Sequence, residues 1–186
     1  MKIIFVCGSL EHGRDGVGDY TERLASELTL QGHKVGLLSL NDQYLKQEIE
    51  STKQFDGCLS PIKLRLPSIL PTKKRFKKAK AWINDFNPDW ISLQFVIFSF
   101  HPKGLPFGLS KRLLNLGKEK RWHIMFHELW LGMDLNATKK NKLWGWLQMK
   151  IIRKVLADIK PLLIHTQSRL YQAQLAKLGF DSGYLP

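Results

Sequence analysis

Short apolar runs separated by amphipathic stretches constrain this chain more than any other feature. The runs "KIIFVCG", "HKVGLLSL", "WISLQFV", "RWHIMFHE" and "PLLIHT" do not alternate strictly between polar and apolar residues. Strands of that kind are buried on both faces, which calls for a parallel sheet with helices above and below it. The intervening segments carry a helical period. Residues 19–31 place Tyr20, Leu24, Ala25 and Leu28 on one face, and residues 73–86 turn Phe76, Ala79, Ile83 and Phe86 inward. A third helix lies within "PFGLSKRLLNLGKE", and a longer one covers about 137–159 with Leu143, Leu147, Ile151 and Val155 as its i, i+4 stripe. "SRLYQAQLAKLG" is a fifth helix, "IKLRLP" and "SGYLP" are short strands, and the polar segment near 43–51 reads as helical. The expectation is a Rossmann-like α/β fold, doubly wound, with a mainly parallel sheet and a single domain over residues 1–186.

In such sheets ligands lie beyond the carboxyl ends of the strands. The segment after the first strand, "GSLEHGRDGVGDYTERLASEL", strings four glycines before a helix expected to start near Asp19. A strand, a glycine loop and a helix commonly hold a phosphate at the helix amino end. A Walker A loop is excluded, because Arg14 and Asp15 follow Gly13 where a lysine and a hydroxyl residue are required. A dinucleotide GxGxxG fails at Thr21, and no clear acidic residue ends the second strand, so an NAD site is disfavoured. Two readings stay open: a longer loop in which Gly16, Val17, Gly18 and Asp19 bring backbone up to a diphosphate, or glycines that serve only the geometry of the turn.

"GVGDYTERLASELTLQGHKV" resembles the first βαβ unit of family 4 glycosyltransferases, and "PDWISLQFVIFSFHPKGLP", "MFHELW" and "HTQSRLYQAQLAKLGF" agree with it in order and spacing. The resemblance covers nearly the whole chain but only the amino-terminal, acceptor-side half of a two-domain GT-B enzyme. It implies a retaining transfer of a sugar from a nucleotide-diphosphate sugar to a hydroxyl acceptor, lipid-linked or polysaccharide, with no metal cofactor. A carboxy-terminal domain that grips most of the donor would be absent, since the sequence stops at Pro186 as a further strand begins. The chain alone would then be inactive.

The same resemblance places His127 and the adjoining Glu128 at the reacting end of the cleft. An imidazole there could donate to a sugar hydroxyl or stabilise developing charge. "HELWL" is not a zinc-protease HExxH, because Leu131 stands at the fifth position. Tyr20, with Gln94, His101 and Lys103 among the aromatics of "QFVIFSFHPKG", forms the expected acceptor-binding set, since apolar faces beside a few fixed polar groups suit a sugar or lipid-linked ligand. Phe95, Phe98 and Phe100 equally suit a core edge.

Charge is distributed unevenly. The net +13 arises between residues 71 and 160, which hold 19 basic and 6 acidic side chains; residues 1–70 hold 8 and 9. Lys142, Trp146, Lys150 and Arg153 fall opposite the apolar stripe of the long helix, and Lys73, Lys74, Arg75, Lys77, Lys78 and Lys80 lie on the earlier one. Tryptophan among lysines is a pattern of membrane interfaces, so peripheral attachment to anionic lipid is expected. Two cysteines outside any CxxC pattern and no secretory signal fit a reducing cytoplasm. The competing functions are a basic nucleic-acid-binding module, which lacks any helix-turn-helix, RNP or zinc motif, and a non-catalytic subunit that completes a split transferase.

Overall fold

The computed structural model describes residues 1–51, 54–55, 58–59 and 61–185; the side chain of Cys58 lies outside the described part. Ten strands and five helices follow one another: β1 (Lys2–Cys7), α1 (Gly16–Leu30), β2 (Lys34–Asp42), β3 (Ile49–Ser51), β4 (Gln54–Phe55), β5 (Cys58–Leu59), β6 (Ile62–Pro67), α2 (Thr72–Phe86), β7 (Trp90–Phe95), α3 (Leu109–Leu116), β8 (Arg121–Phe126), α4 (Lys139–Ile159), β9 (Leu163–Thr166), α5 (Arg169–Lys177) and β10 (Gly183–Tyr184). Eight of the strands form one sheet in the order β10-β9-β8-β7-β1-β2-β6-β3. Every pairing in it is parallel except β3 against β6. This is the doubly wound, Rossmann-like α/β fold expected from the apolar runs.

The segment near 43–51 is a correction. It is no helix: a turn at Gln43–Tyr44 leads to edge strand β3, paired antiparallel with β6. Its polar side chains suit an edge position, where one face meets water.

Two apolar layers flank the sheet. Ile3, Phe5, Cys7, Val35 and Leu37 pack with Ala25 of α1 on one face. Ile4, Val6, Leu38, Leu93 and Phe95 pack with Ala79 and Ile83 of α2, Leu113 of α3 and Ile152 and Leu156 of α4 on the other. Fully burying one such aliphatic or aromatic side chain is worth about 1.5–3 kcal/mol, so these layers dominate the folding energy. The inward face of α4 keeps Val155 of the expected stripe and its flanking Ile152 and Leu156, and departs from it in the amino-terminal half. Gly145, Gln148, Ile152, Val155, Leu156 and Ile159 are the buried residues, while Leu143 is 59% exposed. The reason is Gly145, whose bare backbone lets the helix dock directly on the loop after β8.

A Cβ on Gly145 would stand 1.8 Å from the carbonyl oxygen of Leu131. In a free helix interior Gly→Ala stabilises by about 1 kcal/mol. Here the sign reverses: Gly145→Ala is expected to destabilise by about 3 kcal/mol, because backbone rather than a flexible side chain must move. Chemical denaturation measures this; an unchanged or raised midpoint would contradict the close docking.

Candidate functional site

The chain reverses direction across the sheet between β1 and β7, since β2 and β6 lie to one side of β1 and β7 to β10 to the other. A cavity of about 530 Å³ opens beyond the carboxyl ends at this point. Asp15, Gly16, Val17 and Tyr20 from the start of α1 form one wall. Val96, Phe98 and Ser99 after β7, His127 and Glu128 after β8, and Gln167 after β9 form the other. The glycine segment and the imidazole at 127 therefore share one rim. Five loops meet there because parallel strands all deliver their carboxyl ends to the same edge.

His127 is 7% exposed, and its ring meets that of Tyr20 edge to face, with centroids 5.2 Å apart. Its Nε2 lies 2.9 Å from Oε1 of Gln94. An amide oxygen only accepts, so Nε2 carries the proton and Nδ1 is the acceptor nitrogen of the neutral ring. The row continues along the sheet. Nε2 of Gln94 donates to Oγ of Ser92 (2.8 Å), Oγ of Ser92 lies 2.8 Å from Nδ1 of His123, and Nε2 of His123 lies 3.1 Å from Nδ1 of His165. Ser92 pairs with His123 across β7 and β8, and Met125 with His165 across β8 and β9, so these side chains share one face of the sheet. Burial pushes His127 down to about 4, against the opposing influence of its contact with Gln167. Burial, then the neighbouring imidazoles His165 and His127, pushes His123 to about 4 as well. At neutral pH both rings are uncharged.

The glycine segment differs from the expectation in a way that matters chemically. Helix α1 starts at Gly16 rather than near Asp19, and Asp15 is its N-cap: the carboxylate accepts from the amides of Val17 and Gly18, each at 3.1 Å. The two donors expected to face a diphosphate are thus already bonded within the chain, which corrects the phosphate-loop reading of Val17 and Gly18. Asp19 turns away to the Gly13 amide (3.2 Å) and to Nδ1 of His12 (3.0 Å). Gly18 is closely packed, because a Cβ there would lie 3.0 Å from the carbonyl oxygen of Ser9. Gly16 is not, since a Cβ would meet nothing within 4 Å; its backbone stands open to the cavity.

An acidic residue does end the second strand, another correction: β2 runs on to Asp42. It is fully buried and already engaged. Asp42 pairs with Arg65 at 2.8 Å and accepts from the Leu10 amide, the Tyr44 amide and the Ser39 hydroxyl. Oδ2 carries three of these donors and Oδ1 one, and because the carboxylate is fully buried it is not presented to the ribose hydroxyls of an NAD site.

Of the acceptor-binding set, Tyr20 lines the cavity and Gln94 does not. Gln94 is 1% exposed and spends both ends of its amide on Ser92 and His127, so it orients the imidazole rather than touching a ligand. His101 faces a neighbouring hollow, and Lys103 is exposed outside the cavity, its carbonyl accepting from the Trp144 indole at 2.8 Å. Lys142, Trp146, Lys150 and Arg153 are all exposed on α4, with the Lys150 ammonium 5.1 Å from the Trp146 ring centre. Arg75 leaves the basic outer face of α2 for the interior, where Leu40, Leu70 and Asn41 accept its hydrogen bonds. Gln167 falls in segment 166–169 after a strand, where the sequence places ligand-binding residues, whereas Ser92, His123 and His165 are not singled out by it. Polar residues at alternate positions of otherwise apolar strands, as in "ISLQF" and "WHIMFH", are the signal that marks such a row.

Among the described residues no helix is long and apolar enough to cross a membrane. No family model and no curated protein matches the chain. Two solved structures have a related layout. A proposed NADH-flavin reductase from Streptococcus pneumoniae TIGR4 aligns over 89% of this chain and 70% of its own, at 13% identity and a TM-score of 0.44. MurG from Acinetobacter baumannii aligns over 89% of this chain and 40% of its own, at 13% identity and a TM-score of 0.39. Likenesses this distant carry no argument about activity, which rests on the residues around the cavity.

Proposed function

We propose that this chain is the acceptor-binding half of a retaining glycosyltransferase that uses a nucleotide-diphosphate sugar. The observation that carries the reading is the shared cavity, in which the open backbone of Gly16 faces a neutral, oriented imidazole with Tyr20, Glu128 and Gln167 beside it. An acceptor or donor hydroxyl would donate its hydrogen bond to Nδ1 of His127. A ring whose pKa is held down to about 4 is neutral at pH 7 and seldom takes up a second proton, so its role is to orient a hydroxyl rather than to store the proton. In the transfer, the acceptor oxygen bonds to the anomeric carbon as the bond from that carbon to the diphosphate breaks; the nucleoside diphosphate departs with the electron pair and takes up the proton that the acceptor hydroxyl loses. The donor diphosphate would be held mainly by a companion lobe, because Asp15 occupies the Val17 and Gly18 amides.

The exposed Lys142, Trp146, Lys150 and Arg153 would meet an anionic lipid surface, each nearby cation contributing about 1 kcal/mol, and bring the cavity to a lipid-linked acceptor. The 186-residue polypeptide by itself is expected to neither transfer sugar nor hydrolyse nucleotide-diphosphate sugars in a radiolabelled product assay. Sustained turnover by that polypeptide would refute the half-enzyme reading.

A further inference from the structure

We propose that a second cavity, between the amino end of α2 and the start of α3, binds an oxyanion, a phosphate group above all. The cavity encloses about 240 Å³ and is lined by Arg75, Arg112, His101, Thr72 and Asn41 against Phe76 and other apolar side chains. Arg75 is 8% exposed, yet it meets only neutral acceptors. Its Nε donates to the Leu70 carbonyl at 3.0 Å, one terminal nitrogen to the Leu40 carbonyl and to Oδ1 of Asn41, and the other to the Thr72 hydroxyl at 3.2 Å. That last nitrogen keeps one N–H unspent. Buried charges are normally paired, because an ion out of water without a counter-ion costs several kcal/mol. Burial, and then the like charge of Arg112, hold Arg75 below its ordinary value.

The remaining groups point the same way. Arg112 spends one terminal nitrogen on the Phe107 carbonyl at 2.9 Å, leaving donors over. Nδ1 of His101 accepts from the Lys103 and Leu105 amides, at 3.2 and 3.4 Å, so its proton is on Nε2 and the ring is a donor. Helix α2 opens with no side-chain cap and no acidic residue in its first turn, and its positive end is uncompensated. No carboxylate lines this cavity among the described residues. Two guanidinium groups and a donor imidazole around a half-open pocket suit bidentate recognition of a phosphate.

A hollow of about 410 Å³ shares Arg75 and His101 with this cavity, and shares Asp15, Phe98 and Ser99 with the one containing His127. An acceptor could therefore seat a phosphate at Arg75 and Arg112 while presenting a hydroxyl to His127. That extension rests on the transferase reading; the anion site itself does not.

The test is a titration of the chain with inorganic phosphate at constant ionic strength, followed by amide and arginine side-chain NMR shifts. Saturable shifts centred on residues 72–76 and 101–112 are expected. Arg112→Gln should weaken binding about tenfold or more, and Arg112→Lys less, because it keeps the charge and loses the fork. Lys111→Gln, which makes the same change in net charge nearby, should bind as the parent does. Absence of saturable binding, or equal weakening by Lys111→Gln and Arg112→Gln, overturns the site. A second titration with glucose 1-phosphate separates the two ideas. Added shifts at Tyr20 and His127 support a bridging acceptor, whereas Arg112-dependent binding with no response at His127 upholds the anion site and overturns the bridge.

Discussion

Lowering the pH from 7 to 4.5 is expected to cost this protein several kcal/mol of stability, in a window where most carboxylates are still ionised. The cause is the pair of buried imidazoles, His127 and His123, each held near 4 in the folded chain against about 6.5 when unfolded. Between those values the unfolded chain binds protons that the folded chain refuses. Stability therefore rises with pH from about 4 to 6.5 and levels off above it. Over the full window one imidazole with this shift contributes about 3 kcal/mol. The second is linked to the first through the Gln94–Ser92 segment, so the two do not simply add. Urea midpoints at pH 7, 5.5 and 4.5 measure the effect. His123→Gln with His127→Gln should flatten the curve, and a flat curve in the parent chain would mean that both rings titrate normally.

On the proposed transferase reading, replacing His127 by alanine in a complete enzyme is expected to slow sugar transfer by about 10²–10⁴-fold. The variant loses an imidazole that lines the cavity, and it also leaves Oε1 of Gln94 without its partner. Gln94 would then be free to turn, which the low exposure of its surroundings makes costly rather than compensating. Rates near those of the parent would remove His127 from the mechanism.

How far the sequence carries the argument depends on the element. Strands β1, β7 and β8 were legible because their apolar runs are continuous, and continuous runs are what a two-sided sheet requires. The edge strand β3 was not, since a polar segment against water has neither a helical nor an alternating apolar pattern to betray it. The buried face of α4 was misjudged by about one residue because the governing contact is the absence of a side chain at Gly145, and hydrophobic periodicity is blind to glycine. At the site, strand ends pointed to His127. They could not reveal that Asp15 caps its own helix, that Asp42 is consumed by Arg65, or that Gln94 faces inward, because each of these depends on which neighbours the tertiary fold supplies.

The site as described requires one particular protonation pattern at residue 127. Long-range ¹H–¹⁵N correlation spectra of the histidine rings read it directly on this chain, with no substrate needed. The account predicts a proton on Nε2 and none on Nδ1 of His127 from pH 8 down to pH 5, with titration only near 4. A proton resident on Nδ1 at neutral pH, or a midpoint close to the 6.5 of a free imidazole, would contradict it.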